Sequence, residues 1–184
     1  MDVLCACDKK AASHKFVSAA FRNVPTHFFN SLTELVEKEV AYCKSHGRAC
    51  PVPTDKHVDL MIIGPPCQPF SKMRPKKEGK EGKQGPATAH PEAHVLKQLA
   101  PQILERYNPH GFILEEVPGL QDRTDKKNID SPTHLQVLID DVTERGFHVG
   151  VYKLDLGTWC ELPCERLSLP SLLGLRSTCC HSTF

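Results

Sequence analysis

No stretch of the chain approaches the roughly 18 consecutive apolar residues of a membrane span, so no membrane partner is expected. The first ten residues lack the basic start and long apolar core of a secretory signal. Neither sign of charge is in excess. Lys and Arg number 23 against 22 Asp and Glu, a net +1, so the overall balance does not announce nucleic-acid binding. Paired Cys-x-x-Cys hooks are lacking too: apart from Cys67, the nine cysteines fall as Cys5 with Cys7, Cys43 with Cys50, Cys160 with Cys164, and Cys179 with Cys180. Structural zinc is therefore not expected, and the odd count in a chain read as intracellular argues for reduced thiols over a disulfide framework. The 184 residues, 40% hydrophobic and 24% charged, suffice for one ordinary domain and not for two sizeable ones.

What is present is concentrated in one segment, Leu60-Met-Ile-Ile-Gly-Pro-Pro-Cys-Gln-Pro-Phe-Ser71. Its apolar start predicts a short inner strand of a parallel sheet. Gly64, Pro65 and Pro66 end the strand in a turn stiffened by fixed φ angles, which delivers Cys67 just past the carboxyl end, where open α/β sheets bind ligands. A second segment, Gly111-Phe-Ile-Leu-Glu-Glu-Val-Pro-Gly-Leu120, predicts another strand ending in Glu115, with a turn at Pro118 and Gly119.

In these two segments the chain resembles the DNA (cytosine-5) methyltransferases, whose nucleophile lies in a Gly-Pro-Pro-Cys-Gln-Pro-Phe-Ser motif followed later by a Glu-Asn-Val motif. The resemblance implies an α/β fold: an incomplete Rossmann-like S-adenosylmethionine-dependent methyltransferase fold, mostly parallel sheet with flanking helices. It further implies methyl transfer from S-adenosylmethionine to C5 of cytosine through a cysteine adduct at C6, with Cys67 as nucleophile. Glu115 would bind the base and share a proton with ring N3. Glu116 stands where the family has Asn. Two adjacent carboxylates raise the apparent pKa of the pair, which favours a protonated Glu115 or spoils the geometry.

The same resemblance places the other site residues. Asp8, at the end of a strand, matches the acid that holds the cofactor's ribose hydroxyls, although a plain helix N-cap is an equal reading on local grounds. Asn30 or Ser31 stands where an Asp usually meets the adenine, and Pro66 joins Asp8 and Asn30 as cofactor-binding. Glu161-Leu-Pro-Cys-Glu-Arg-Leu-Ser168 resembles the Pro-Gln-x-Arg-x-Arg motif with only Arg166 retained, as an orienter of the base or of Glu115. Between them, Ser71, Lys72, Arg74, Lys76 and Lys77 open a Gly- and Lys-rich loop. The family's counterpart closes over the target nucleotide, so these cations are expected at phosphates, while a solvated linker is an even alternative.

Elsewhere the pattern alternates. Strands are expected over 2–7, 27–29 and 147–156, and helices over 11–21, 32–43, 93–107 and 135–145, the third kinked or interrupted by Pro101. The family's Phe-x-Gly-x-Gly loop and first strand have no counterpart before Met1. The expectation is thus a fragment: residues 1–168 as a partial catalytic domain and 169–184 as a divergent tail. The implied partner is DNA, with a flipped-out base, and the implied location is intracellular, nuclear in a eukaryote. A transfer-RNA cytosine-5 methyltransferase and a non-catalytic remnant are the alternatives. Thymidylate synthase, whose cysteine is typically followed by His, fits less well because Gln68 follows Cys67.

Overall fold

Period-2 alternation governs the first third of the chain more than its helical spacing suggests. In the computed structural model, which describes residues 2–20, 25–54, 57–71, 87, 90–155 and 168–176 (backbone alone for 154–155 and 168–176), strand β1 (Cys5–Cys7) runs parallel to β2 (His27–Phe29), with helix α1 (Ala11–Ala20) between them in sequence. Helix α2 (Leu32–Glu37) is capped by Ser31, whose Oγ accepts from the Glu34 amide at 3.3 Å. The Glu34 carboxylate reaches back to the Asn30 amide at 3.0 Å. The helix expected to continue to residue 43 stops at Glu37 instead. Val40 and Tyr42 are exposed while Ala41 and Cys43 are buried, so this stretch is a strand, β3 (Val40–Cys43). It forms an antiparallel hairpin with β4 (Arg48–Pro51) around a turn that Gly47 completes at φ +64°.

Two compact units result, Met1–His57 with Gln102–Asn108, and Val58–Pro101 with Pro109–Phe184. Within the first, Phe28, Phe29, Leu35, Ala41, Cys43, Cys50 and Val52 are buried, and so are Ile103, Leu104 and Tyr107. The Arg106 guanidinium donates to the Val36 carbonyl and, at 2.9 Å, to that of Lys38, closing the C-terminal end of α2.

In the second unit the sheet order is β5-β6-β8-β7, from β5 (Leu60–Ile63), β6 (Gly111–Glu115), β7 (Phe147–Asp155) and β8 (Ser168–Arg176). β5 and β6 are parallel, and β8 lies antiparallel to both β6 and β7. The apolar run at 60–63 is therefore an edge strand of this sheet and not an inner one. Leu60 and Ile62 are 45% and 72% exposed, and only Ile63 is buried. Phe112 and Phe147 meet edge to face at 5.5 Å in the core. The helix over 93–107 runs through Pro101 without breaking. A π-helical turn (Val95–Leu99), in which the Ala100 amide bonds to the Val95 carbonyl, precedes α3 (Ala100–Tyr107) and widens the backbone one turn ahead of the proline ring. Helix α4 (His134–Glu144), capped by Thr133 and followed by Gly146 at φ +88°, leads into β7. The fold is mixed α/β with parallel strand pairs and helices.

Candidate active site

The register of β5 on β6 decides which side chains leave the sheet together. Ile63 pairs with Leu114, so the chain exits β5 at Gly64 where β6 ends in Glu115, both at the carboxyl end of the parallel pair. Pro65 is buried and Pro66 half-buried, and Cys67, which follows, is exposed. The Cys67 carbonyl accepts from the Phe70 amide at 3.0 Å and the Ser71 amide at 2.9 Å, closing one tight turn that begins at the cysteine. Phe70 is buried and sets its ring against His134 at 5.2 Å.

A second turn locks the first. Pro118–Gln121 forms a 3-10 turn directly after the Glu115 strand, with Gly119 buried against the backbone of Phe70. A methyl group on Gly119 would lie 1.7 Å from the Phe70 carbonyl oxygen. Only glycine permits that approach, since a backbone carbonyl has no rotamer with which to yield. The Cys67 turn and the segment beyond Glu115 are thus fixed to each other by backbone contact. In the sequence Gly119 reads only as a turn residue, and no local pattern announces its role as a spacer.

Glu115 is exposed at the end of β6, and its neighbour is the buried one: Glu116 is 1% exposed. One carboxyl oxygen accepts from the Val117 amide at 2.9 Å, while Oε1 has no partner among the described residues. Burial pushes the Glu116 carboxyl up to about 8, opposed by the Val117 amide and reinforced by the charge of Glu115. Of the two adjacent carboxyls, Glu116 is the one the fold removes from water. At neutral pH Glu116 is mostly a neutral acid, the charge state of the Asn that the resemblance leads one to expect there.

Among the other described cysteines, none resembles Cys67. Burial raises Cys5 to about 11, and burial together with the Cys5, Asp8 and Glu34 charges raises Cys7 to about 12, so both are held as thiols. Cys43 and Cys50 are buried in the hairpin. Asp8 and Asn30 follow β1 and β2 at their carboxyl ends, next to the paired residues Cys7 and Phe29. Asp8 Oδ1 accepts from the Lys10 amide at 2.7 Å, and its carbonyl accepts from Lys44 Nζ at 2.7 Å. A carboxylate offers about four lone-pair sites, so that single amide leaves capacity for a diol. Ser31 is committed to capping α2, which leaves Asn30 as the polar side chain at the β2 end. Ser71 closes the cysteine turn. Lys72, Arg74, Lys76, Lys77 and Arg166 lie outside the described residues, as do Cys160, Cys164, Cys179 and Cys180.

Residues 26–155 match the family described as C-5 cytosine-specific DNA methylase. No curated protein matches the chain. Three solved structures are similar in fold. One is an E. coli prophage-encoded protein described as a DNA modification methyltransferase, at 17% identity and a TM-score of 0.54 over 95% of this chain and 40% of its own. A mutant of Spodoptera frugiperda DNMT2 follows at 15% and 0.53 over 99% and 45%. The S. pombe Dnmt2 methyltransferase stands at 15% and 0.53 over 95% and 43%. The chain spans less than half the length of each.

Proposed function

Because the chain belongs to the C-5 cytosine-specific DNA methylase family, we propose that it carries the cytosine-binding half-site of a DNA (cytosine-5) methyltransferase, with Cys67 as nucleophile and Glu115 as the acid that binds the base. The observation that carries this reading is the parallel register of β5 and β6, which brings the Cys67 turn and Glu115 off the same end of adjacent strands, together with the Gly119 contact that fixes the two turns.

The chemistry follows from what each group does. Cytosine C5 is too weak a nucleophile until a thiolate adds to C6, so the Cys67 thiolate forms the Sγ–C6 bond and the ring electrons move to C5 as an enamine. Glu115, at the end of β6, shares a proton with ring N3 and meets the charge that accumulates there. Once C5 carries the methyl group, loss of the C5 proton and expulsion of the thiolate restore the ring, a covalent route that divides one hard step into easier ones. Neutral Glu116 adds no second negative charge beside the base. S-adenosylmethionine, the methyl donor the family implies, supplies an electrophilic methyl on a sulfonium. Asp8 and Asn30 are the residues proposed to hold it, the Asp8 carboxylate suiting a ribose diol. The duplex base must be flipped out to meet an exposed thiol on a rigid turn. The basic residues Lys72, Arg74, Lys76 and Lys77, with Ser71, are proposed to contact the phosphates.

Trapping tests this directly. The 184-residue chain, given S-adenosylmethionine and duplex DNA containing 5-fluorocytosine, should form a denaturant-stable adduct, because the fluorine cannot leave as a proton does. Cys67→Ser should abolish it. An adduct that survives in Cys67→Ser would move the nucleophile elsewhere, and an adduct formed on transfer RNA and not on DNA would replace the substrate class.

A further inference from the structure

The hairpin of the first unit gathers a second set of reactive side chains, which the methyl-transfer site does not use. His27 opens β2, Cys43 ends β3, His46 sits in the hairpin turn and Cys50 lies on β4. One ligand atom from each, two sulfurs and two ring nitrogens, all lie within 4.8 Å of one another. His46 Nδ1 is 3.3 Å from Cys43 Sγ and 3.4 Å from Cys50 Sγ. The rings of His27 and His46 meet edge to face at 5.0 Å.

From this we propose that His27, Cys43, His46 and Cys50 bind a structural zinc ion that fastens β2 to the β3–β4 hairpin. With Zn–S near 2.3 Å and Zn–N near 2.0–2.1 Å, a tetrahedral ion separates a sulfur and a nitrogen ligand by about 3.6 Å. The two sulfur–nitrogen distances at His46 are already within a few tenths of an ångström of that. Two sulfurs with two imidazoles is a donor set that selects zinc in tetrahedral geometry, and the two thiolates balance the charge of the ion. Four protein ligands leave no open position, which marks a structural site and not a hydrolytic one. The surroundings fit as well. The Phe28 amide donates to Cys43 Sγ at 3.4 Å, the kind of outer contact that steadies a metal-bound thiolate. His46 is exposed and gives an ion a way in, while Cys43 and Cys50 are buried.

The spacing explains why this cluster is silent in the sequence. Cys43-x-x-His46-x-x-x-Cys50 has no Cys-x-x-Cys hook, and the fourth ligand stands 16 residues upstream. Only the packing of β2 beside β3, where the Lys44 amide bonds to the Phe28 carbonyl at 2.7 Å, brings His27 in.

The test uses the whole chain, purified under reducing conditions with zinc present. Elemental analysis should find about one zinc per chain, and replacement by Co2+ should give the intense visible bands of a tetrahedral thiolate–imidazole site. His46→Ala, in an exposed turn where the side chain fills no core, should weaken zinc binding in competition with a chromophoric chelator by at least the 10–100-fold seen for loss of mere outer-shell contacts. Cys5→Ser should leave the affinity unchanged. A chain that takes up no stoichiometric zinc would overturn the proposal. So would a weak octahedral cobalt spectrum, His46→Ala binding as tightly as the parent, or a Cys43–Cys50 disulfide isolated from reducing buffer. None of these readouts depends on methyl transfer.

Discussion

Glu116 is a carboxyl group placed where water cannot help it, and that has a consequence for stability. An acid whose pKa is raised on folding binds a proton more tightly in the folded state than in the unfolded one, so stability falls as pH rises through the interval between the two values. Here the interval runs from the ordinary 4.5 up to about 8. At about 1.4 kcal/mol per unit, the loss across it is on the order of a few kcal/mol. Glu116→Gln removes the ionisation while keeping the shape and the acceptor for the Val117 amide. Urea unfolding at about pH 5.5 and about pH 9 should show the parent losing stability across the interval and Glu116→Gln losing less by that amount. Equal pH dependence in the two proteins would mean that Glu116 is already ionised, or hydrated, in the folded state. At this scale the candidate site was half legible. Pro-Cys-Gln and Glu115 stand out because their neighbours are unusual, whereas the burial of Glu116 and not Glu115 depends on which face of the strand end meets the core.

Turns and strands differ in how much of their cause is local. The Gly64-Pro65-Pro66 break could be read directly, as could helix α4, expected over 135–145 and found at His134–Glu144, because stiff φ angles and a terminating glycine act within a few residues. The β3–β4 hairpin was hidden, since Leu32, Leu35, Val36 and Val40 also satisfy helical spacing and only Lys38, whose extended backbone ends α2, divides the two periods. The pairing of the Cys67 turn with the Gly119 turn was hidden for the same reason: the partner lies about fifty residues away. That contact predicts a sharp effect. Gly119→Ala must displace the Phe70 carbonyl, a change of the overpacking class that costs about 1–3 kcal/mol, and it should also lower the yield of 5-fluorocytosine adduct by loosening the turn that presents Cys67. Gly64→Ala is the stability control, because a Cβ there meets nothing within 4 Å and the change should stay within about 0.5 kcal/mol. Matching denaturation midpoints for the two variants would show that the turns are not locked together.

At the scale of the whole chain, the unforeseen element is β8. The alternation of strands and helices pointed to a mostly parallel sheet, and the parallel pairs β1–β2 and β5–β6 are there. Yet Ser168–Arg176, drawn almost wholly from residues expected to be a divergent tail, inserts antiparallel between β6 and β7 and pairs with β7 along its full nine residues. Nothing in Ser-Leu-Pro-Ser-Leu-Leu-Gly-Leu-Arg names those partners, because strand pairing is chosen by distant segments and the alternation is obscured by Pro170 and Gly174. The pairing makes β8 the bond between β7 and the strand that carries Glu115. Removing it would strip hydrogen bonds from both neighbours, on the order of ten of them at about 1 kcal/mol net each, against a total stability of about 5–15 kcal/mol for an ordinary domain. A chain ending at residue 155 should therefore lose the cooperative melt of the second unit, its β7 amides exchanging with solvent at near-unfolded rates, and it should form no adduct with 5-fluorocytosine DNA. If the shortened chain instead kept slow exchange along β6 and β7, the tail strand would be an attachment to the sheet and not part of what holds Cys67 and Glu115 in register.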